Sequence, residues 1–201
     1  GLDGELVDVT IEQQRLAGTF VSGNDNLIES HGGHVSGSGN EFQADRATLS
    51  GSENTVIGNE GHVVGNDNSV YGSSNNGFGN NNVIGKVMSG DYSSVDSSHV
   101  VGNNNTMEGN SSSAFGNENT VTGDETSVIG LSNTVSGEGS LALGNYNNTE
   151  SSMVTIVGGY NAINNDYSDN AVAVGQNNDL IGNQAVAMGN NNSIEKDASG
   201  A

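Results

Sequence analysis

Residues 100–144 read VVGNNNTMEGNSSSAFGNENTVTGDETSVIGLSNTVSGEGSLALG, with glycine at 102, 109, 116, 123, 130, 137 and 144, seven residues apart each time. A helix punctuated this way would lose about 1 kcal/mol at every glycine, and asparagine favours turns over helix interiors. A short apolar triplet followed by Gly-Asn therefore reads as strand, turn, strand, turn. Repeated along the chain, that unit is a solenoid.

Working outward, the same grid extends in both directions. Positions 23, 30, 37, 44, 51, 58, 65, 72 and 79 hold Gly, Ser, Gly, Ala and then five glycines. Gly85 arrives one residue early and 17 residues separate it from Gly102; a second 17-residue interval runs from Gly158 to Gly175, and Gly182 and Gly189 resume the count. Alternate triplets differ, so the true unit is 14 residues. Strands ending at Gly65, Gly79, Gly102, Gly116, Gly130, Gly144, Gly158, Gly175 and Gly189 form type A, and those ending at Gly58, Gly72, Gly85, Gly109, Gly123, Gly137 and Gly182 form type B.

The residue two before the glycine is usually apolar in both types, for example Val100, Ala114 and Val128 in A and Val83, Met107 and Val121 in B, so it faces the interior. The residue one before the glycine faces outward. In type A it is Val64, Phe78, Val101, Phe115, Ile129, Leu143, Val157, Val174 and Met188, whereas type B mixes Glu108, Thr122, Ser136 and Glu150 with Ile57, Tyr71, Ile84 and Ile181. One outer face thus carries an apolar stripe expected to run about a dozen coils, larger than a soluble monomer ordinarily leaves exposed. The nine type A residues are read as a homo-oligomeric interface, most simply a trimer about an axis parallel to the solenoid. The competing reading is cover by another part of a longer chain. The recurring Gly-Asn-x-Asn turns are structural, because Gly and Asn tolerate positive φ and Asn side chains stack into ladders.

Composition sets the outer bounds. The 201 residues include 31 Gly, no Pro, Cys or Trp, and 4% aromatics, too little bulk for a thick core but enough for the thin layer a solenoid needs. Four basic against 24 acidic residues leave a net charge of −20, which disfavours nucleic acid and anionic membranes as partners. Among proteins, a basic or neutral surface suits this charge better than an acidic glycan. Without Cys there is no disulfide or thiolate-metal framework. No stretch approaches the roughly 20 apolar residues of a membrane helix, and residues 1–20 lack the order of a signal peptide. The chain is read as a segment of a longer, processed protein that does not itself insert into a membrane.

The segments NAVAVGQNN (170–178), QAVAMGNNN (184–192) and GSLALGNYN (139–147) resemble the head of trimeric autotransporter adhesins of the YadA type. The resemblance covers about residues 21–194. It implies an all-β fold, a left-handed parallel β-roll of 14-residue coils in a side-by-side homotrimer, displayed on the bacterial surface beyond the outer membrane. It also implies attachment to host receptors or matrix proteins, or bacterial autoaggregation, with a role in virulence. On this reading residues 1–20 form a lead-in strand or cap, in which Leu6 to Ile11 alternates like a strand. Residues 21–195 are the head, and 196–201 lead toward a neck or stalk. The Asn-rich turns and the two long intervals depart from the family pattern.

Both long intervals contain the same tripeptide, Asp91-Tyr92-Ser93 and Asp166-Tyr167-Ser168, just before a type A strand. Loops on a rigid scaffold often carry binding and Tyr is a common anchor, so these six residues are the candidate receptor contacts. The two loops should leave the same edge, five coils or ~24 Å apart. His34, His62 and His99 occupy equivalent positions on the stripe face. They are read as hydrogen-bonded interface residues in preference to a metal or anion site, and His31 and His34 have no partner acid at a recognisable metal spacing. No metal, cofactor or catalytic residue is expected, and the chain is expected not to be an enzyme.

Two other classes compete with adhesion. An ice-binding solenoid would use the row Thr106, Thr120 and Thr134, which Glu108 and Ser136 interrupt on the neighbouring column. A phage tail-spike-like polysaccharide-binding protein would need a cleft with paired carboxylates, which the scattered acids do not supply.

Overall fold

A computed structural model of the chain describes residues 18–88, 91–93, 95–164 and 169–195, with residues 86–88 and 91–93 described by backbone. Among them there is no helix. The chain winds as a parallel β-solenoid whose A strands form one 12-stranded sheet and whose B strands form another. Each A strand, such as His99–Asn103, pairs in parallel with the equivalent strand one coil on, His99 against Ser113 through Asn103 against Asn117. B strands are shorter, as at Thr106–Met107. The expected lead-in strand at residues 6–11 lies outside the described residues.

Each strand offers one inward side-chain position: the B strands are too short for a second, and in the A strands the second falls on glycine, such as Gly102. Val100, Ala114, Val128 and Ala142 from the A sheet meet Met107, Val121 and Val135 from the B sheet, all fully buried. Gly77 supplies no side chain at its level, and Ile84 and Val70 fill the space: a β-carbon there would lie 3.5 Å from each.

The turn after each A strand is held by a buried asparagine. Asn119 Nδ2 donates to Oδ1 of Asn105 at 3.0 Å and to the carbonyl of Gly130 at 2.9 Å, while its backbone N–H also donates to Asn105 Oδ1. The pattern links Asn26 to Asn40 at one end and Asn178 to Asn192 at the other. From Asn40 to Asn178 the backbone and side-chain amide protons of the ladder are answered by the adjoining coils, which is what makes burial of so many polar groups tolerable. In the opposite turn Ser98, Ser112, Thr126 and Ser140 form a hydroxyl ladder, each donating to a carbonyl of the next coil and accepting an N–H from it.

The A-strand glycines are required twice over. Gly130 has φ +139, and a β-carbon on it would fall 1.7 Å from the carbonyl oxygen of Gly144. Glycine alone fits that approach.

One register expectation is corrected. Val83 was expected inside and Ile84 outside, by counting back from Gly85; instead Ile84 is 0% exposed and Val83 36%. Ile84 pairs with Val70 and Met107, so Gly85 stands level with Tyr71 and is not the grid glycine of its coil. Val95 takes that place, its carbonyl and N–H facing Gly72. Residues 86–94 are the true insertion. It contains an antiparallel hairpin, Lys86–Met88 with Asp91–Ser93.

Candidate functional site

The A face carries the apolar stripe. Val64, Phe78, Val101, Phe115, Ile129, Leu143, Val157, Val174 and Met188 fall in one column, each beside the next across the sheet. Seven of them are 37–75% exposed, and Leu143 and Val174 are half-buried. In the preceding coils the column continues as Ser22, Ser36 and Ser50. The stripe therefore spans nine of the twelve A strands, short of the expected dozen coils, and its first three levels are polar.

His34, His62 and His99 lie on this same face, as parity requires, but Thr48 and Asn76 separate them, so they do not cluster. His34 meets Phe20 edge to face at 4.9 Å, and His99 Nδ1 lies 2.8 Å from Asn76 Nδ2. Among the described residues no three His, Cys, Asp or Glu side chains converge as a metal site.

The edge between B and A strands receives both insertions. The hairpin bearing Asp91, Tyr92 and Ser93 leaves between Gly85 and Val95. The second insertion falls between Asn164 and Asp169, and Asp166, Tyr167 and Ser168 lie outside the described residues. The same-edge expectation agrees with the strand order on either side, since each insertion follows a B strand and precedes an A strand.

Near the first coils of that edge, Glu29, Ser30, His31, Gln43, Ala44, Asp45 and Asn59 line a shallow cleft of about 250 Å³. His31 does have an acid partner, 14 residues on and therefore one coil away: Nδ1 lies 3.3 Å from Asp45 Oδ1, which also accepts the His31 backbone N–H at 2.8 Å. A serine beside a His-Asp pair invites a nucleophile reading, but Ser30 Oγ is buried, 2.5 Å from where Gly33 would place a β-carbon. It faces the interior while the imidazole faces out. A nucleophile needs contact with both base and substrate, and Ser30 meets neither condition.

On the opposite edge, which the sequence reading left without a role, Tyr146 and Tyr160 stack with ring centroids 4.8 Å apart and planes 15° from parallel. Both occupy the left-handed turn position at φ +57, which Asn, Asp, Glu or Ser fills at most other levels. The signal for them was the NYN and GYN turns, where a bulky ring replaces a small polar residue. On the B face Thr106, Thr120 and Thr134 do align, and the row continues as Asn148 and Ala162.

No family model matches this chain, and no curated protein matches it either. Among solved structures, the polySia specific acetyltransferase NeuO covers 90% of this chain and 80% of its own, at 13% identity and a TM-score of 0.16. That protein is an enzyme, and the expectation that this chain is not one is accordingly withdrawn. A likeness of TM-score 0.16 equally carries no argument for acetyl transfer here.

Proposed function

We propose that the chain is the head of a trimeric bacterial surface adhesin resembling the YadA type, with the solenoid wound left-handed and three copies packed side by side through their A faces. The observation that carries the reading is the continuous column from Val64 to Met188, seven of whose nine apolar side chains stay exposed in the single chain. Burying such a column against two copies removes apolar area from water at about 25 cal/mol per Å², and a closed cyclic assembly leaves no face unpaired.

In this reading the trimer projects from the cell surface and holds receptor or matrix proteins, or heads on neighbouring cells. The residues inserted at 86–94 and 165–168 are the proposed receptor contacts, because both insertions fall between a B strand and the next A strand of the solenoid. The strongly acidic surface suits basic or neutral protein partners.

The assembly is tested by native mass in solution. A species of three chain masses at micromolar concentration is expected, and a monomer under those conditions overturns the reading of the stripe. Receptor contact is tested by replacing Tyr92 and Tyr167 with Ala: loss of cell or matrix attachment is expected, and unchanged attachment removes the loops from the proposal.

A further inference from the structure

We propose that the edge following the A strands holds an arginine-recognition site, built on Tyr146 and Tyr160 and closed by Glu118. The site belongs to a single chain and stands independently of the trimer.

The turn column at this edge reads Glu118, Ser132, Tyr146, Tyr160 over four successive coils, each residue in the left-handed conformation. Bulky side chains are uncommon there, and two consecutive tyrosines hold a backbone state that asparagine occupies more easily. Their rings are not hidden in return: Tyr146 is 45% and Tyr160 60% exposed. Their 4.8 Å centroid spacing matches one coil rise, so the rings stack along the solenoid axis. The inner faces cover each other, and the outer face of Tyr146 points toward the Ser132 level.

The space over that face lies at Ser132, which is half-buried. Serine is the smallest side chain of the four, and its hydroxyl turns away from the ring to donate to Glu118 Oε2 at 2.8 Å. Glu118 thus reaches forward from its own level, and its carboxylate lies beside the Ser132 level, one coil rise or ~4.8 Å from the Tyr146 level. The space over the ring therefore has an aromatic face as its floor and a carboxylate at its side.

A planar cation lying over the ring meets both groups, because its N–H donors point outward in its own plane, at whose edge the carboxylate sits. The guanidinium of arginine stacks on an aromatic face and pairs with a carboxylate through fixed N–H donors, whereas the lysine ammonium is a strongly hydrated point charge without a plane to stack. A thicker saccharide ring suits that space less well, and the net charge of −20 draws basic segments from a distance. The partner is therefore an arginine-bearing segment of another protein.

The test compares capped hexa-arginine and hexa-lysine peptides of equal charge, titrated into the intact protein near 0.15 M salt and followed by calorimetry. Wild type is expected to bind the arginine peptide at least ~5-fold more tightly than the lysine peptide. Tyr146→Asn is expected to abolish that preference while leaving the weaker, charge-driven binding. Asn already occupies this turn position at residues 81, 104, 177 and 191, so the variant keeps the backbone; an unchanged melting temperature confirms this. Glu118→Gln is expected to weaken arginine-peptide binding several-fold. Equal affinity of both peptides for wild type, or a preference that survives Tyr146→Asn, overturns the proposal.

Discussion

The side-chain amide of Asn105 donates to Oδ1 of Asn82 at 3.0 Å, although the two residues are 23 positions apart where their neighbours in the ladder are 14 apart. Nine residues have been added to this coil without disturbing a single rung. The ladder lies in one turn and the hairpin leaves from the other, so the coil closes as if the insertion were absent.

Removing residues 86–94 is therefore expected to restore a 14-residue coil with the unfolding midpoint within a few degrees of wild type. Loop entropy changes slowly with length, and the deletion shortens the closed segment. Thermal denaturation followed by circular dichroism reads the outcome. A cooperative loss of structure would show that the hairpin props up the coil beneath it.

The glycine column gives a paired comparison. Gly130→Ala places a β-carbon 1.7 Å from the Gly144 carbonyl in a backbone of φ +139, whereas a β-carbon at Gly182 meets only the Ala185 side chain at 3.8 Å. We expect Gly130→Ala to cost about 2–4 kcal/mol through strain and displaced backbone. Gly182→Ala should stay within about 1 kcal/mol of wild type. Urea unfolding curves of the two variants supply both numbers.

The two asparagine rows differ in the same way. Asn119→Ala strands the amide protons of Asn133 that now donate to its oxygen, and leaves the Gly130 carbonyl without its side-chain donor. A loss of about 2–4 kcal/mol is expected for so many buried orphans. Asn117 makes similar bonds to Asn103 on the exposed side, where water replaces them, and its Ala variant should lose less than about 1 kcal/mol. Comparable losses at both sites would mean that burial does not set the strength of the ladder.

On the A face, the double change Phe115→Asp with Ile129→Asp introduces two carboxylates into the centre of the stripe. Both side chains are exposed in the single chain, so the variant should retain the β-sheet spectrum of wild type. With the A faces packed as proposed, light scattering is expected to report monomers for the variant where wild type gives trimers. A variant that still runs as a trimer would move the interface to another face.

Ile84 and Val83 lie on opposite sides of their B strand, one buried and one exposed. Ile84→Ala opens a cavity in the thin core and should cost about 2–4 kcal/mol, while Val83→Ala at the surface should cost under about 1 kcal/mol. Equal effects would return Val83 to the interior.

Glycine spacing made the coil length and the alternation of strand types legible before any coordinates. It misled at residue 85 because glycine serves two purposes here, relieving crowding between coils and ending strands, and an incidental glycine cannot be told from a required one by position alone. The buried asparagine is the better counter: from Asn82 the core residue is two ahead, Ile84, as Met107 follows Asn105. The stripe was legible because outward positions alternate strictly with inward ones. Its polar first levels at Ser22, Ser36 and Ser50 were visible too, once the column was extended. Contacts between coils were not. The His31 and Asp45 pair and the Tyr146 and Tyr160 stack join residues 14 apart, and they emerge only when each turn is set above the next.

That each rung is completed by the adjoining coil has a consequence for how such a molecule changes over generations. A slip of the replication machinery that copies or drops one 14-residue unit, three times fourteen nucleotides, leaves both ladders in frame and every remaining partner in place. The molecule then grows or shrinks by one rise of ~4.8 Å. The length of the solenoid can thus be adjusted in fixed steps, without redesigning the turns that hold it together.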